Sequence, residues 1–222
     1  MEKTVMLTDV QAHPMVKTFI EYGNQHLGAM GYTEHSFRHA TLTANIASNI
    51  LNRLGHSERD SQLASIAGYL HDIGNVVSRY NHGQTGAWLA KEVLRELGMG
   101  WEEIALVMSA IGNHEEEYGE SVNNIAAALI LADKSDVHHS RVRHKDIALF
   151  DIHDRVNSAV QHSFLRVNEE EKTITLELTI DTAMSGVMEY FEIFLTRMIM
   201  CRRAADFLGT RFSLVVNDSK LL

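Results

Sequence analysis

The stretch Gln62-Leu-Ala-Ser-Ile-Ala-Gly-Tyr-Leu-His-Asp-Ile-Gly74 decides how this chain is read. Leu63, Ile66, Ala67 and Leu70 recur at helical spacing, and the run ends on an imidazole beside a carboxylate, His71-Asp72. Adjacent helical residues project about 100° apart, which leaves both side chains able to point into one crevice. A carboxylate can bridge two metal ions while the neighbouring imidazole fixes one of them. Working outward, His35 precedes the pair, and His82, His114 and Asp133 follow it. The dipeptide recurs at His153-Asp154, without a comparable apolar helix before it or a Leu-Ala-Asp segment after it. It serves as an internal control and is not expected to touch metal.

The pattern on either side of the pair is helical from His13 to about Arg143. Met15–Met30 predicts a first helix. Ser36–Leu54 follows, with Leu42, Ile46, Ile50 and Leu54 on one stripe and Gly55 as its stop. Ser57 opens the central run, with Glu58 and Asp60 in the first turn, where the helix dipole favours acids. That helix is expected to end near Gly74. Asn81–Thr85 reads as a loop, and Gly86–Leu97, Trp101–Ile111 and Val122–Asp133 as helices.

Beyond Arg143 the composition changes. Ala159–Val167 and Thr173–Ile180 are strand-like, the second alternating strictly, with Asn168–Lys172 as the hairpin between them. Thr182–Leu208 predicts a long helix stopped by Gly209, and Arg211–Val216 a last strand. The expected fold is mainly α. A helical metal-binding domain over residues 1–145 precedes a small β-β-α-β subdomain over 146–222, with the boundary between 142 and 158.

The bulk numbers narrow the partners. The 222 residues carry a formal charge of -9, from 29 acidic and 20 basic residues. Nucleic-acid backbones and anionic membranes call for a basic surface, so neither is an expected partner. A small anionic substrate stays open, because a bound metal reverses the local sign of charge. Cys201 is the single cysteine, which forbids an intrachain disulfide and fits a reducing compartment. Met1–Gln11 has no apolar signal core and no run approaches a membrane span, so a cytoplasmic location is expected. The single proline, Pro14, leaves the rest of the chain free of helix breaks. Thirteen histidines is a high count for a residue that is the commonest protein metal ligand.

Three segments carry a resemblance. Glu34-His35-Ser36-Phe37-Arg38, Tyr69-Leu70-His71-Asp72-Ile73-Gly74 and Leu131-Ala132-Asp133-Lys134-Ser135-Asp136 resemble, in order, the ligand segments of the HD superfamily of metal-dependent phosphohydrolases. His82-Gly83-Gln84-Thr85-Gly86-Ala87 and Asn113-His114-Glu115 resemble the two further histidine segments of its two-metal members. The resemblance covers residues 32–140 and implies that His35, His71, Asp72 and Asp133 hold one ion, with Asp72 bridging to a second held by His82 and His114. His39, one turn after His35, occupies a position that is usually apolar in that segment. It is expected to stand behind the ligands or face substrate. Mixed nitrogen and oxygen donors admit Fe, Mn, Zn, Ni or Co, as one or two ions.

The implied reaction is hydrolysis of a phosphate ester or anhydride by metal-activated water, with Asp72 central and Lys134 and Arg38 orienting the phosphate. A nucleotide or small organic phosphate is the expected substrate, and a homodimer is possible. Arg141 and Arg143 are further candidate phosphate contacts. Many members of the superfamily have Lys where this chain has Asn75, so one phosphate contact is missing. Glu115-Glu-Glu-Tyr-Gly-Glu120 lacks the Gly-Tyr-Pro signature of the branch that degrades cyclic diguanylate, and that activity is not assigned. Two other function classes compete: a di-iron oxygenase on the same ligands, and a metal-binding sensor or interaction protein whose Thr173–Ile180 edge pairs with a partner. P-loop, Cys-x-x-Cys and His-Glu-x-x-His segments are absent. His138 and His139 read as surface residues, Cys201 and the methionines as core.

Overall fold

The computed structural model describes residues 3–143 and 152–221. Two helices form its centre. α4 (Glu58–Leu70) is capped by Ser57, whose hydroxyl accepts from the Asp60 amide, and it is buried on every side from Leu63 to Leu70. α7 (Asn124–Ser135) is capped by Asn123 and is likewise buried throughout from Ile125. A helix that is apolar all round belongs inside a bundle. The predicted one-sided stripe on α4 therefore understates its burial.

The other helices surround this pair. They are α1 (Leu7–Ala12), α2 (Pro14–Ala29), α3 (Phe37–Arg53), α5 (His82–Glu96) and α6 (Trp101–Gly112). Pro14 sits in the first turn of α2, where its missing N–H is harmless. α3 packs on both central helices, and α5 packs on α6. The central run stops at Leu70 rather than near Gly74, and Ile73–Val76 forms a single 3-10 turn. That turn seats against the start of α5. A Cβ on Gly74 would overlap the His82 carbonyl oxygen, so glycine is what permits the approach.

Asn81–Thr85 is not a loop. Asn81 takes a left-handed φ of 55° at the N-cap, and α5 begins at His82.

α8 (Ile152–Ala159) was not expected, and residues 144–151 of the anticipated boundary lie outside the described residues. The C-terminal elements follow the β-β-α-β order. β1 (Val160–Asn168) and β2 (Thr173–Ile180) form an antiparallel hairpin, and α9 (Val187–Phe207) crosses over to β3 (Arg211–Val216), which is parallel to β2. A short β4 (Ser219–Lys220) completes the sheet in the order β1-β2-β3-β4. α9 starts five residues later than predicted, at Val187, after the extended N-cap residue Gly186. This mainly helical molecule is closed by α9 packing on α7, and by Ser163 of β1 donating to the Ser135 carbonyl at 2.6 Å. Among the described residues no helix is long and apolar enough to cross a membrane.

Candidate metal centre

Helix ends aim the site. His71 follows the last residue of α4, and its Nδ1–H donates to the Gly68 carbonyl at 2.8 Å, three residues back. His114 does the same to Ile111 at 2.6 Å beyond α6, and His82 to Arg79 at 3.0 Å. Each contact satisfies a carbonyl left open by a turn or helix end and fixes one tautomer. His39, inside α3, donates Nδ1–H to the Asp136 carboxylate at 2.7 Å. His35 donates to the Thr33 carbonyl at 2.8 Å. In its neutral form each of the five imidazoles would then keep an unprotonated Nε2 lone pair.

Four of those lone pairs converge on Asp72 and Asp133. His39 Nε2 lies 3.2 Å from His71 Nε2, 3.3 Å from Asp133 Oδ1 and 3.5 Å from Asp72 Oδ2. His71 Nε2 is 3.2 Å from the same Asp72 oxygen and 3.5 Å from Asp133. On the other side, His82 Nε2 is 3.1 Å from His114 Nε2 and 3.2 Å from Asp72 Oδ1. Two ligand atoms held about 2.1 Å from one ion, at tetrahedral to octahedral angles, stand roughly 3.0–3.4 Å apart. Asp72 thus presents a different oxygen to each of two histidine pairs.

The donor set fits a cation. Facing lone pairs repel, and Asp72 Oδ2 is buried yet accepts no hydrogen bond, despite the nearby His71 nitrogen. Burial disfavours charge on His71, but the Asp72 and Asp133 carboxylates outweigh it and raise its pKa to about 10. Burial would also raise the two acids. The charge of His71 holds Asp72 well below the usual carboxylate range, and that of Lys134 does the same for Asp133. His114 moves the other way, to about 3, through burial and then repulsion from His71 and His82. The carboxylates demand positive charge that the histidines cannot all carry as protons. Divalent ions would meet that demand.

Residues 32–183 match the HD domain family, which is more than half of the chain. The chain belongs to the HD domain family. That places it in a superfamily of metal-dependent phosphohydrolases, and its His/Asp cluster fits metal binding. The matched stretch runs past residue 140, where the resemblance was expected to stop, and takes in β1 and β2. An uncharacterized protein of Methanocaldococcus jannaschii is 25% identical over 202 residues, which covers 80% of this chain and 76% of the relative. Ribonuclease Y of Opitutus terrae is 35% identical over 102 residues, 46% of this chain but only 18% of that protein.

Within this HD domain the sequence-predicted residues divide. His71, Asp72, His82, His114 and Asp133 come together, whereas the side chain of His153, in the second His-Asp pair, lies outside the described residues. His35 and His39 lie differently from the expectation. His35 Nε2 stays 4.0 Å from Asp72 and accepts a hydrogen bond from Arg141 at 3.1 Å. His39 takes the inner place instead, because α3 turns it toward Asp136 and the end of α7. Arg38 is clasped by Glu34 and Asp136, each at 2.9 Å. Lys134 is buried between Asp133 at 2.6 Å and Glu116 at 3.2 Å. Both cations expected at the substrate phosphate are engaged by carboxylates.

Four supporting residues were not anticipated. Asp136 orients His39. Glu115 lies 3.2 Å from His82 Nδ1 and accepts from the Gly83 amide at 2.7 Å. Asn75 is buried and donates to Asp72 Oδ1 at 3.0 Å. Glu116 joins Lys134 to Arg197 of α9, the latter at 2.8 Å. Only the proximity of Glu115 to His114 and of Asp136 to Asp133 hinted at any of them.

Proposed function

We propose that this protein is a phosphohydrolase that cleaves a phosphate ester or anhydride of a nucleotide or small organic phosphate. The observation that carries the reading is the inward-facing set of four histidine nitrogens around two carboxylates, with every Nδ1 proton already spoken for. His39, His71, Asp72 and Asp133 would hold one ion, and His82, His114 and the other oxygen of Asp72 a second. Bound there, divalent ions would acidify water and neutralise charge developing on phosphoryl oxygens. His35 does not join the ligands in this proposal, because its lone pair is taken by Arg141.

The surrounding residues keep the ligands in place. Asp136 holds the His39 ring, Asn75 holds Asp72, and Lys134 holds the outer oxygen of Asp133 at 2.6 Å. Such outer hydrogen bonds typically matter about 10–100-fold to metal affinity or activity. The relative named ribonuclease fits the same class of bond. The net charge of -9 favours a small substrate over a polynucleotide for this chain.

The test is metal analysis of protein purified without chelator, followed by a phosphate-release screen in the metal found. Stoichiometric transition metal and phosphate release support the reading. An oxygen-consuming iron protein that releases no phosphate would replace it with oxidative chemistry on the same ligands.

A further inference from the structure

A net charge of -9 sets a condition on any face through which two copies of this chain meet. Like-charged molecules repel, so such a face must balance its own charge. β2 does not supply one. It lies between β1 and β3, so the Thr173–Ile180 edge expected to pair with a partner is already occupied on both sides.

The outer face of α9 meets the condition. Met188, Glu192, Leu195, Ile199, Arg202 and Asp206 recur every three or four residues and form one stripe along the helix. Met188 is 70% exposed and Leu195 53%. The opposite side of α9, with Tyr190, Phe194, Met198 and Cys201, is buried in the core. Charge on the stripe is sorted by position. Glu192 lies three residues before Leu195, and Arg202 three residues after Ile199. Both are exposed, and neither forms an ion pair among the described residues.

Glu192 and Arg202 are symmetric in sequence about Arg197, and so are Leu195 and Ile199. Arg197 itself points the other way, to Glu116. A second α9 laid antiparallel across the stripe therefore sets Glu192 against Arg202 of the partner subunit, and Leu195 against Ile199 of the partner subunit. A two-fold axis makes each of these contacts twice, because both subunits present the same patch. Parallel pairing would instead bring Glu192 to Glu192 and Arg202 to Arg202. A partner of one charge sign would be repelled by half of the stripe, whereas a second copy matches all of it.

The flanks fit the same arrangement. The segment after α6 reaches the C-terminal half of α9 through Glu120, which lies 3.6 Å from Arg203, and it leaves Tyr118 65% exposed. Antiparallel pairing carries that ring toward the start of the partner helix, where Met188 is exposed. From Met188 to Asp206 the stripe runs about 27 Å at a rise of about 1.5 Å per residue. With its flanks, that length suits the roughly 800 Å² that each partner buries in a standard interface.

We infer that the protein is a homodimer, held by antiparallel pairing of α9 with α9 of a second copy through this stripe.

Sedimentation equilibrium of the full chain should give twice the 25.0 kDa of one copy. Leu195→Glu puts a charge at the apolar middle and should give a single copy with unchanged circular dichroism. Glu192→Arg sets like charges together at both ends, and so does Arg202→Glu. Each alone should weaken association by about tenfold or more. Mixed in equal amounts, the two variants should recover wild-type association as a dimer of one copy of each, because both contacts then join opposite charges.

A wild type that sediments as a single copy at every concentration overturns the inference. So does a dimer whose dissociation constant is unaltered by Leu195→Glu. If Leu195→Glu loses helix content, the mixing experiment decides, since mixing does not restore a misfolded chain. Two weakened variants that stay apart when mixed rule out the antiparallel pairing.

Discussion

The junction of α3, α4 and α7 and the core beneath the sheet are equally shielded from water, yet they are filled with opposite chemistry. At the junction the buried side chains include His39, His71, His82, His114, Asp133, Lys134, Asp136 and Arg141. Under the sheet they are Val167, Ile174, Leu176, Leu178, Leu214 and Val216, with only small polar residues such as Thr173 and Ser213 among them. Burying ionisable groups costs free energy unless they are paired, and even paired they are weak sources of stability. The sheet follows the rule for a stable core and the junction departs from it. Such departures belong where a ligand supplies what the protein alone does not.

The comparison breaks most sharply at Asp72. Asp72→Ala removes the one carboxylate facing both histidine pairs. Its expected outcome is loss of turnover and of most bound metal, with helix content nearly intact by circular dichroism. Full activity in that variant would refute the two-sided centre. The counterpart under the sheet is Leu214→Ala, at a fully buried position on β3. It should destabilise the protein by about 2–5 kcal/mol in urea unfolding while leaving metal content per folded molecule unchanged. Metal loss in Leu214→Ala without unfolding would show that the two regions are not energetically separate.

The contrast also explains what the sequence made legible. Periodicity reports which faces are dry, so the longer helices, the alternating Thr173–Ile180 strand and the crossover helix could be placed from pattern alone, whereas the short α1 and α8 could not. The centre's ligand types were legible because carboxylates and imidazoles in apolar runs need partners. Which histidine of a pair faces inward was not. His35 and His39 are one turn apart on the same face, and their order is decided by Asp136, some hundred residues away, and by Arg141. The start of α5 was hidden by two glycines that usually mark loops but here admit the neighbouring turn. Arg197 carried no local signal, because its approach to Glu116 depends on how α9 packs on the helical layer.

Asp136→Asn sharpens the comparison at smaller scale. Burial would raise this carboxyl, but the hydrogen bond from His39 and the nearby Arg141 and Arg38 cations hold it well below the usual range. The amide leaves the shape and removes the charge that makes His39 a better donor. Metal affinity should fall about 10–100-fold, read by competition with a chromophoric chelator, with a smaller loss of stability. Unchanged affinity would place His39 outside the ligand set and return His35 to candidacy.

The smallest effect belongs to the pair on the exposed face of the sheet, Arg166 and Glu177, which meet across β1 and β2 at 2.6 and 2.9 Å. Its geometry is as good as that of Arg197 with Glu116, but Arg166 is 57% exposed, so water and salt screen the attraction. The hydrogen bond from Arg166 depresses the Glu177 pKa. A depressed acid contributes stability above its unfolded pKa and loses it as pH falls through the folded value. Glu177→Gln should therefore leave the urea midpoint at neutral pH within error of wild type, with any difference vanishing in acid or at high salt. Glu116, by contrast, is held at about 2 against its burial by Lys134 and Arg197. Glu116→Gln should lower the midpoint measurably, because it strips the shared partner from two cations beside Asp133. Equal effects from the two substitutions would mean that burial does not set the worth of these two pairs.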